Sequence, residues 1–141
     1  MNNNKNLTIN EIFGLAVKNH QEGKTDIALK LYNQVLKIEP NHSQSLNNLG
    51  VIFQNQMNHE KAKDCYEKAI AIKPDYADAH NNLGNIFKEL GENQKAKECY
   101  EKAIEINPNY ADAHYNLGII FKTLKDYQKA KECYEKVIAI N

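Results

Sequence analysis

Three prolines, Pro40, Pro74 and Pro108, follow one another at intervals of 34 residues, and Cys65, Cys99 and Cys133 keep the same interval. Residues 77–107 and 111–141, aligned without a gap, are identical at 23 of 31 positions. A fixed period of this length makes the chain a stack of copies of one supersecondary unit, which excludes a reading as one compact globule. Four copies fit: 9–42, 43–76, 77–110 and 111–141, the last three residues short of the period. Residues 1–8, rich in asparagine, read as a flexible N-terminal segment, with Leu7 and Ile9 available to pack on the first repeat.

Within a repeat the helical pattern starts, stops and starts again. The third reads ADAHNNLGNIFKEL, then GENQ, then KAKECYEKAIEI, then NPNY. His80, Leu83, Phe87 and Leu90 fall at helical spacing, and Ala96, Tyr100, Ala103 and Ile104 form a second stripe opposite Lys97, Glu101 and Lys102. Gly84 marks a place where another helix backbone must come close. Pro108 ends the second helix, and Asp75 or Asn109, just past a proline, is positioned to cap the next one. Each repeat is therefore two antiparallel helices of about 12–14 residues, too small to bury a core alone, and stacking supplies the core.

These residues resemble the tetratricopeptide repeat family over residues 9–141. The first small position holds Ala16, Gly50, Gly84 and Gly118, and the second Ala28, Ala62, Ala96 and Ala130. Tyr32, Tyr66, Tyr100 and Tyr134 follow, then Val35, Ala69, Ala103 and Val137. The resemblance implies an all-α, right-handed superhelical solenoid of four helix-turn-helix repeats and eight helices. Two departures stand out. The turn glycine of repeats 1 and 3 (Gly23, Gly91) is Met57 in repeat 2 and Lys125 in repeat 4, so a neighbour such as Asn58 is expected to take the strained conformation. No solvating helix follows the last repeat in this sequence, which leaves Ile138 and Ile140 to meet another chain or a longer protein.

The family places first helices on the concave face. That assigns Asn47, Asn48, Asn81, Asn82, Asn85, Lys88, Tyr115, Asn116 and Lys122 to a peptide-binding surface. Asn48, Asn82 and Asn116 share one position and resemble the asparagine ladder of the O-linked N-acetylglucosamine transferase repeats; Gly14 breaks it in repeat 1. A carboxamide donates and accepts, so it pairs with a peptide backbone whatever the side chains are. The bland alternative is solvent-exposed filler. Lys88 and Lys122 share a second position, with His20 and Gln54 as counterparts, while Asp78 and Asp112 lie where carboxylates offset the helix dipole. Phe13 and Val17 replace the Lys and Asn of the family's carboxylate clamp, which argues against an adaptor for acidic C-terminal tails, and with Val51 and Ile119 they add an apolar component.

Composition excludes other classes. Lysine and acidic residues balance at 18 each with no arginine, against a nucleic-acid partner. No apolar run approaches the roughly 18 residues of a membrane span. Cys65, Cys99 and Cys133, one per repeat, read as packing residues too far apart for a disulfide or a shared metal, and free thiols fit a reducing, cytoplasmic setting. His80 and His114, at one shared position, read as packing. No Ser or Thr has a base nearby, so no catalytic, cofactor or metal site is expected. Lys63–Glu67, Lys97–Glu101 and Lys131–Glu135 are spaced as solubilising pairs.

The function expected is a protein–protein interaction module that binds a peptide or partner segment on its concave face. One alternative is the substrate-recruiting part of a larger enzyme, since the opening resembles repeats that precede bacterial glycosyltransferase or sulfotransferase domains. A second is a self-associating scaffold, a homo-oligomer through its terminal repeats, with mild opposite charge on repeats 3 and 4 to orient it.

Overall fold

The computed structural model describes residues 6–141, and the described residues form eight α-helices and no strand. They run α1 (Ile9–Gln21), α2 (Thr25–Ile38), α3 (Ser43–Asn55), α4 (His59–Ile72), α5 (Ala77–Glu89), α6 (Asn93–Ile106), α7 (Ala111–Thr123) and α8 (Tyr127–Ile140). Every first helix has 13 residues and every second helix 14. The helices gather into two compact units, an N-terminal one ending at Ile72 and a C-terminal one from Lys73 to Asn141. In the first, α1 packs on α2, α2 on α3 and α3 on α4; in the second, α5 packs on α6, α6 on α7 and α7 on α8. Of the segment 1–8 expected to be flexible, residues 1–5 lie outside the described residues, while Thr8 Oγ1 caps α1 by accepting the Glu11 N–H at 3.2 Å.

Each hairpin is locked by a tyrosine. Tyr32, Tyr66 and Tyr100 are fully buried, and beside the last two lies a glycine of the preceding helix. A Cβ on Gly50 would stand 2.5 Å from the Tyr66 ring, and one on Gly84 2.6 Å from the Tyr100 ring. The small residue thus makes room for an aromatic ring of its own repeat, and not, as the sequence reading held, for another helix backbone. Ala28, Ala62, Ala96 and Ala103, all fully buried, complete the close contacts.

The turn inside each hairpin is one structure used four times. Its closing bonds run from the N–H of Lys24 to Asn19 O, Asn58 to Phe53 O, Glu92 to Phe87 O and Asp126 to Phe121 O, at 2.8–2.9 Å. These are the six-to-one bonds of a Schellman turn, which needs a left-handed residue just before the donor. Gly23 (φ 75°) and Gly91 (φ 76°) supply it, and so do Met57 (φ 61°) and Lys125 (φ 64°). Asn58 does not relieve Met57, because its side chain is occupied in accepting the Lys61 N–H at 3.2 Å. The hairpin imposes its turn on whatever residue stands there.

Links between repeats also differ from expectation. Asp75 and Asn109 cap nothing; Tyr76 and Tyr110 hold the N-cap positions without a side-chain bond. Instead His80 and His114 reach back, Nε2–H donating to the carbonyls of Pro74 (2.9 Å) and Pro108 (2.8 Å). A further contact escaped the sequence reading. Lys61, Lys95 and Lys129 lie over the rings of Phe53, Phe87 and Phe121 at 5.4–5.5 Å, within cation–π range. Repeat 1 has neither partner, with Asn19 and Ile27 at those positions. On the outer helices the expected pairs form at 3.8, 3.5 and 3.8 Å.

Met57→Gly and Lys125→Gly are each expected to raise stability by about 1 kcal/mol, because a left-handed L-residue carries that cost and glycine does not. Urea unfolding followed by circular dichroism measures it.

Candidate functional site

The first helices of each unit carry the expected binding residues, and their hydrogen bonds sort them. In the N-terminal unit Asn47 is buried at 5% exposure. Asn48 is half-buried and donates from Nδ2 to the Tyr32 hydroxyl at 3.2 Å, beside His20 Nδ1 at 3.3 Å. Burial lowers the His20 pKa and raises that of Tyr32.

The C-terminal unit gathers more. Asn81, Asn85 and Lys88 share one face of α5, and Asn116 meets that face from α7. Asn116 Nδ2 donates to Asn81 Oδ1 at 3.2 Å, while its Oδ1 accepts from Lys88 Nζ at 3.4 Å. Asn85 Oδ1 accepts from the Tyr100 hydroxyl at 2.6 Å, and burial pushes the Tyr100 phenol well above its usual range, so it stays a neutral donor. Asp78 Oδ1 accepts from the Tyr110 hydroxyl at 2.6 Å, which ties the start of α5 to the start of α7. Asn82 is half-buried, Lys122 is exposed, and Tyr115 is 52% exposed with its ring centroid 5.9 Å from that of Tyr134.

Two of the expected contacts are therefore corrected. Asn47 and Asn81 (4% exposed) lie too deep to meet a ligand, and Asn81 acts as a support for Asn116. Of the three ladder positions, Asn48 and Asn116 each bond to the repeat before their own. A carboxamide has four hydrogen-bonding sites, so both retain capacity beyond these bonds.

A substitution within the repeats shapes this cluster. In repeats 1 and 2 the tyrosine hydroxyl bonds the residue at the Lys88 position: His20 to Tyr32, and Gln54, whose Oε1 accepts from Tyr66 at 2.8 Å. In repeat 3 Asn85 takes the tyrosine, and Lys88 extends across to α7 instead. Asn85 is the polar exception at a position that is Val17, Val51 and Ile119 elsewhere. That exception was visible in the sequence; its consequence for Lys88 was not.

Chemistry elsewhere is structural. Ser45 Oγ lies 2.8 Å from His42 Nδ1, contrary to the expectation that no hydroxyl has a base nearby. Ser45 is fully buried, and the same nitrogen accepts its backbone N–H at 3.2 Å, so the pair is a helix cap. Cys65 and Cys133 are buried and Cys99 partly so, all three free; burial, then Asp64, pushes the Cys65 thiol up to about 11. Among the described residues no three His, Cys, Asp or Glu gather to hold a metal ion, and no helix is long and apolar enough to cross a membrane.

An all-α array of paired helices with small and aromatic positions in this order defines a helical repeat protein. Models describing a TPR repeat match residues 58–91 and 84–125, and models describing a tetratricopeptide repeat match 31–64 and 111–141. One crystal structure of MamA is 32% identical with a TM-score of 0.79, covering 89% of this chain and 74% of that one. A second MamA structure is 30% identical with a TM-score of 0.80, covering 94% and 72%. PilF of Pseudomonas aeruginosa shares the fold at 21% identity and a TM-score of 0.86, covering 95% of this chain and 61% of PilF. No curated protein matches the chain. The chain belongs to the tetratricopeptide repeat family and is a protein–protein interaction module. The expected likeness to glycosyltransferase and sulfotransferase fusions finds no support in these comparisons.

Tyr100→Phe is expected to cost about 1–3 kcal/mol, since Asn85 Oδ1 loses its buried donor. Tyr134→Phe, whose hydroxyl makes no hydrogen bond among the described residues, is expected to be neutral within about 0.5 kcal/mol. Thermal melting of the two variants compares them directly.

Proposed function

We propose that the chain binds an extended segment of a partner protein across the first helices of its C-terminal unit. Asn82, Lys88, Tyr115, Asn116 and Lys122 form that surface, beside Asn85, whose oxygen is held by Tyr100, and Asn48 offers similar chemistry within the N-terminal unit. The observation that carries the reading is the release of Lys88 by Asn85, which leaves a cation and an amide directed across α5 and α7 instead of into their own repeat. Amides that keep spare donors and acceptors suit a peptide backbone, and Tyr115 supplies an exposed aromatic surface. Buried thiols and the lack of a disulfide fit work in the cytoplasm. Selection from a peptide library by the wild-type chain and by Asn48→Ala/Asn82→Ala/Asn116→Ala tests it. Enriched peptides should lose at least about tenfold in affinity on the triple variant with helicity unchanged, as expected when several peptide hydrogen bonds are removed; equal binding refutes the amide role.

A second reading, self-association, has its own observation. Leu15 is 40% exposed, whereas Leu49, Leu83 and Leu117 at the same position are 3–8% exposed; Ile138 on α8 is 75% exposed. A second copy's α1 laid on α8 would cover both, as α7 covers α6 within the chain. Sedimentation velocity should show mass rising with concentration, and Ile138→Asp should reduce it. A single monomeric species at every concentration excludes this reading.

A further inference from the structure

We propose that the partner segment carries an acidic side chain whose carboxylate pairs with the Lys88 ammonium, at the edge of the C-terminal unit's first-helix face where α5 ends. The inference rests on the peptide-binding reading above and specifies its chemistry. It begins with the company Lys88 keeps. Lys95, Lys97, Lys102, Lys129 and Lys131 of the same unit each lie within 3.8 Å of a carboxylate oxygen. Lys73, Lys122, Lys125 and Lys136 are exposed, whereas Lys88 is partly buried, makes no ion pair among the described residues, and has the neutral Asn116 Oδ1 at 3.4 Å. That distance is long for an N–H···O bond, whose usual value is about 2.9 Å. Burial lowers the Lys88 pKa, Glu89 opposing, so the cation is held in a partly desolvated place without a full counter-charge. A partly desolvated cation gains more from an arriving anion than an exposed one, because water screens the pair less.

Charge layout sets where the acid lies. Asp78 and Asp112 sit in the first turns of α5 and α7, and Lys88 and Lys122 in the last turns. Ten residues of helix separate the charges of each set by about 15 Å along the axis. The face is therefore negative along one edge and positive along the other. An acidic side chain is repelled at the Asp78 edge and attracted at the Lys88 edge, which sets the edge at which the segment's acid lies. The pair replaces a long bond to a neutral oxygen by one in which donor and acceptor are both charged. The family's clamp for acidic tails is a different arrangement, placed in a first helix where this chain has Phe13 and Val17.

An array of random decapeptides probed with the full chain supplies ligands, each then remade with Glu→Gln or Asp→Asn at every acidic position. Affinities for wild type, Lys88→Gln and Lys88→Arg are measured at low and high salt. The expected result is one acidic position common to the enriched peptides, whose neutralisation weakens binding about tenfold on wild type and Lys88→Arg and not on Lys88→Gln. High salt should narrow the difference. Should Lys88→Gln melt early, the Lys88 Nζ signal in ¹⁵N NMR of the wild type replaces it, shifting with the acidic peptide and not with its neutral twin. Peptides that bind with no acidic preference, or a preference that survives Lys88→Gln or leaves the Nζ signal unmoved, overturn the acidic pairing while peptide binding stands. An array with no bound peptide overturns both.

Discussion

A tyrosine ring pressed against a glycine holds repeats 2, 3 and 4 of this chain in shape. Tyr66 on Gly50 and Tyr100 on Gly84 bring two helices closer than any side chain at the glycine would permit. The rings are fully buried, but each ends in a hydroxyl that must find a partner. That requirement reaches the surface proposed to bind a partner, because the hydroxyl's acceptor comes from the first helix. Whichever residue accepts the tyrosine is withdrawn from the face, and whichever is spared remains on it. Packing inside a repeat thus decides which side chains that repeat displays.

Seen this way, repeats 1 to 3 share a buried tyrosine and differ in which residue serves its hydroxyl. His20 and Gln54 serve their tyrosines, whereas Lys88 is spared by Asn85. The spared lysine joins Asn116, which in turn rests on Asn81, so a buried amide supports an accessible cluster. Such a chain of supports orients flexible polar side chains before a partner arrives, which limits the entropy lost on binding. The Tyr110–Asp78 bond acts at the other edge of the same two helices.

Much of this was legible in the sequence because a repeat multiplies every signal. The 34-residue interval, the Gly–Ala–Tyr positions and the prolines place the helices and their hairpins, and the described residues form eight helices of the lengths expected. What the pattern does not carry is which atom satisfies which. Spacing marks Gly84 as a close approach but cannot say that a ring fills it. Met57 looks unable to adopt a left-handed turn until the closing bond from Asn58 N–H to Phe53 O shows the hairpin forcing it. Position in the repeat groups Asn47 with Asn48, yet side chains one residue apart on a helix point in different directions. One is buried and the other is partly exposed. His80 reads as packing because its bond to the Pro74 carbonyl spans a turn that periodicity leaves blank.

The dependence of the surface on the tyrosine's choice of partner is tested most directly by the crystal structure of Asn85→Val, which gives repeat 3 the residue of repeats 1 and 2. Lys88 should then turn back, its Nζ within hydrogen-bond distance of the Tyr100 hydroxyl and gone from Asn116. A Lys88 still directed at Asn116, with the tyrosine hydroxyl served by water or left alone, would contradict it.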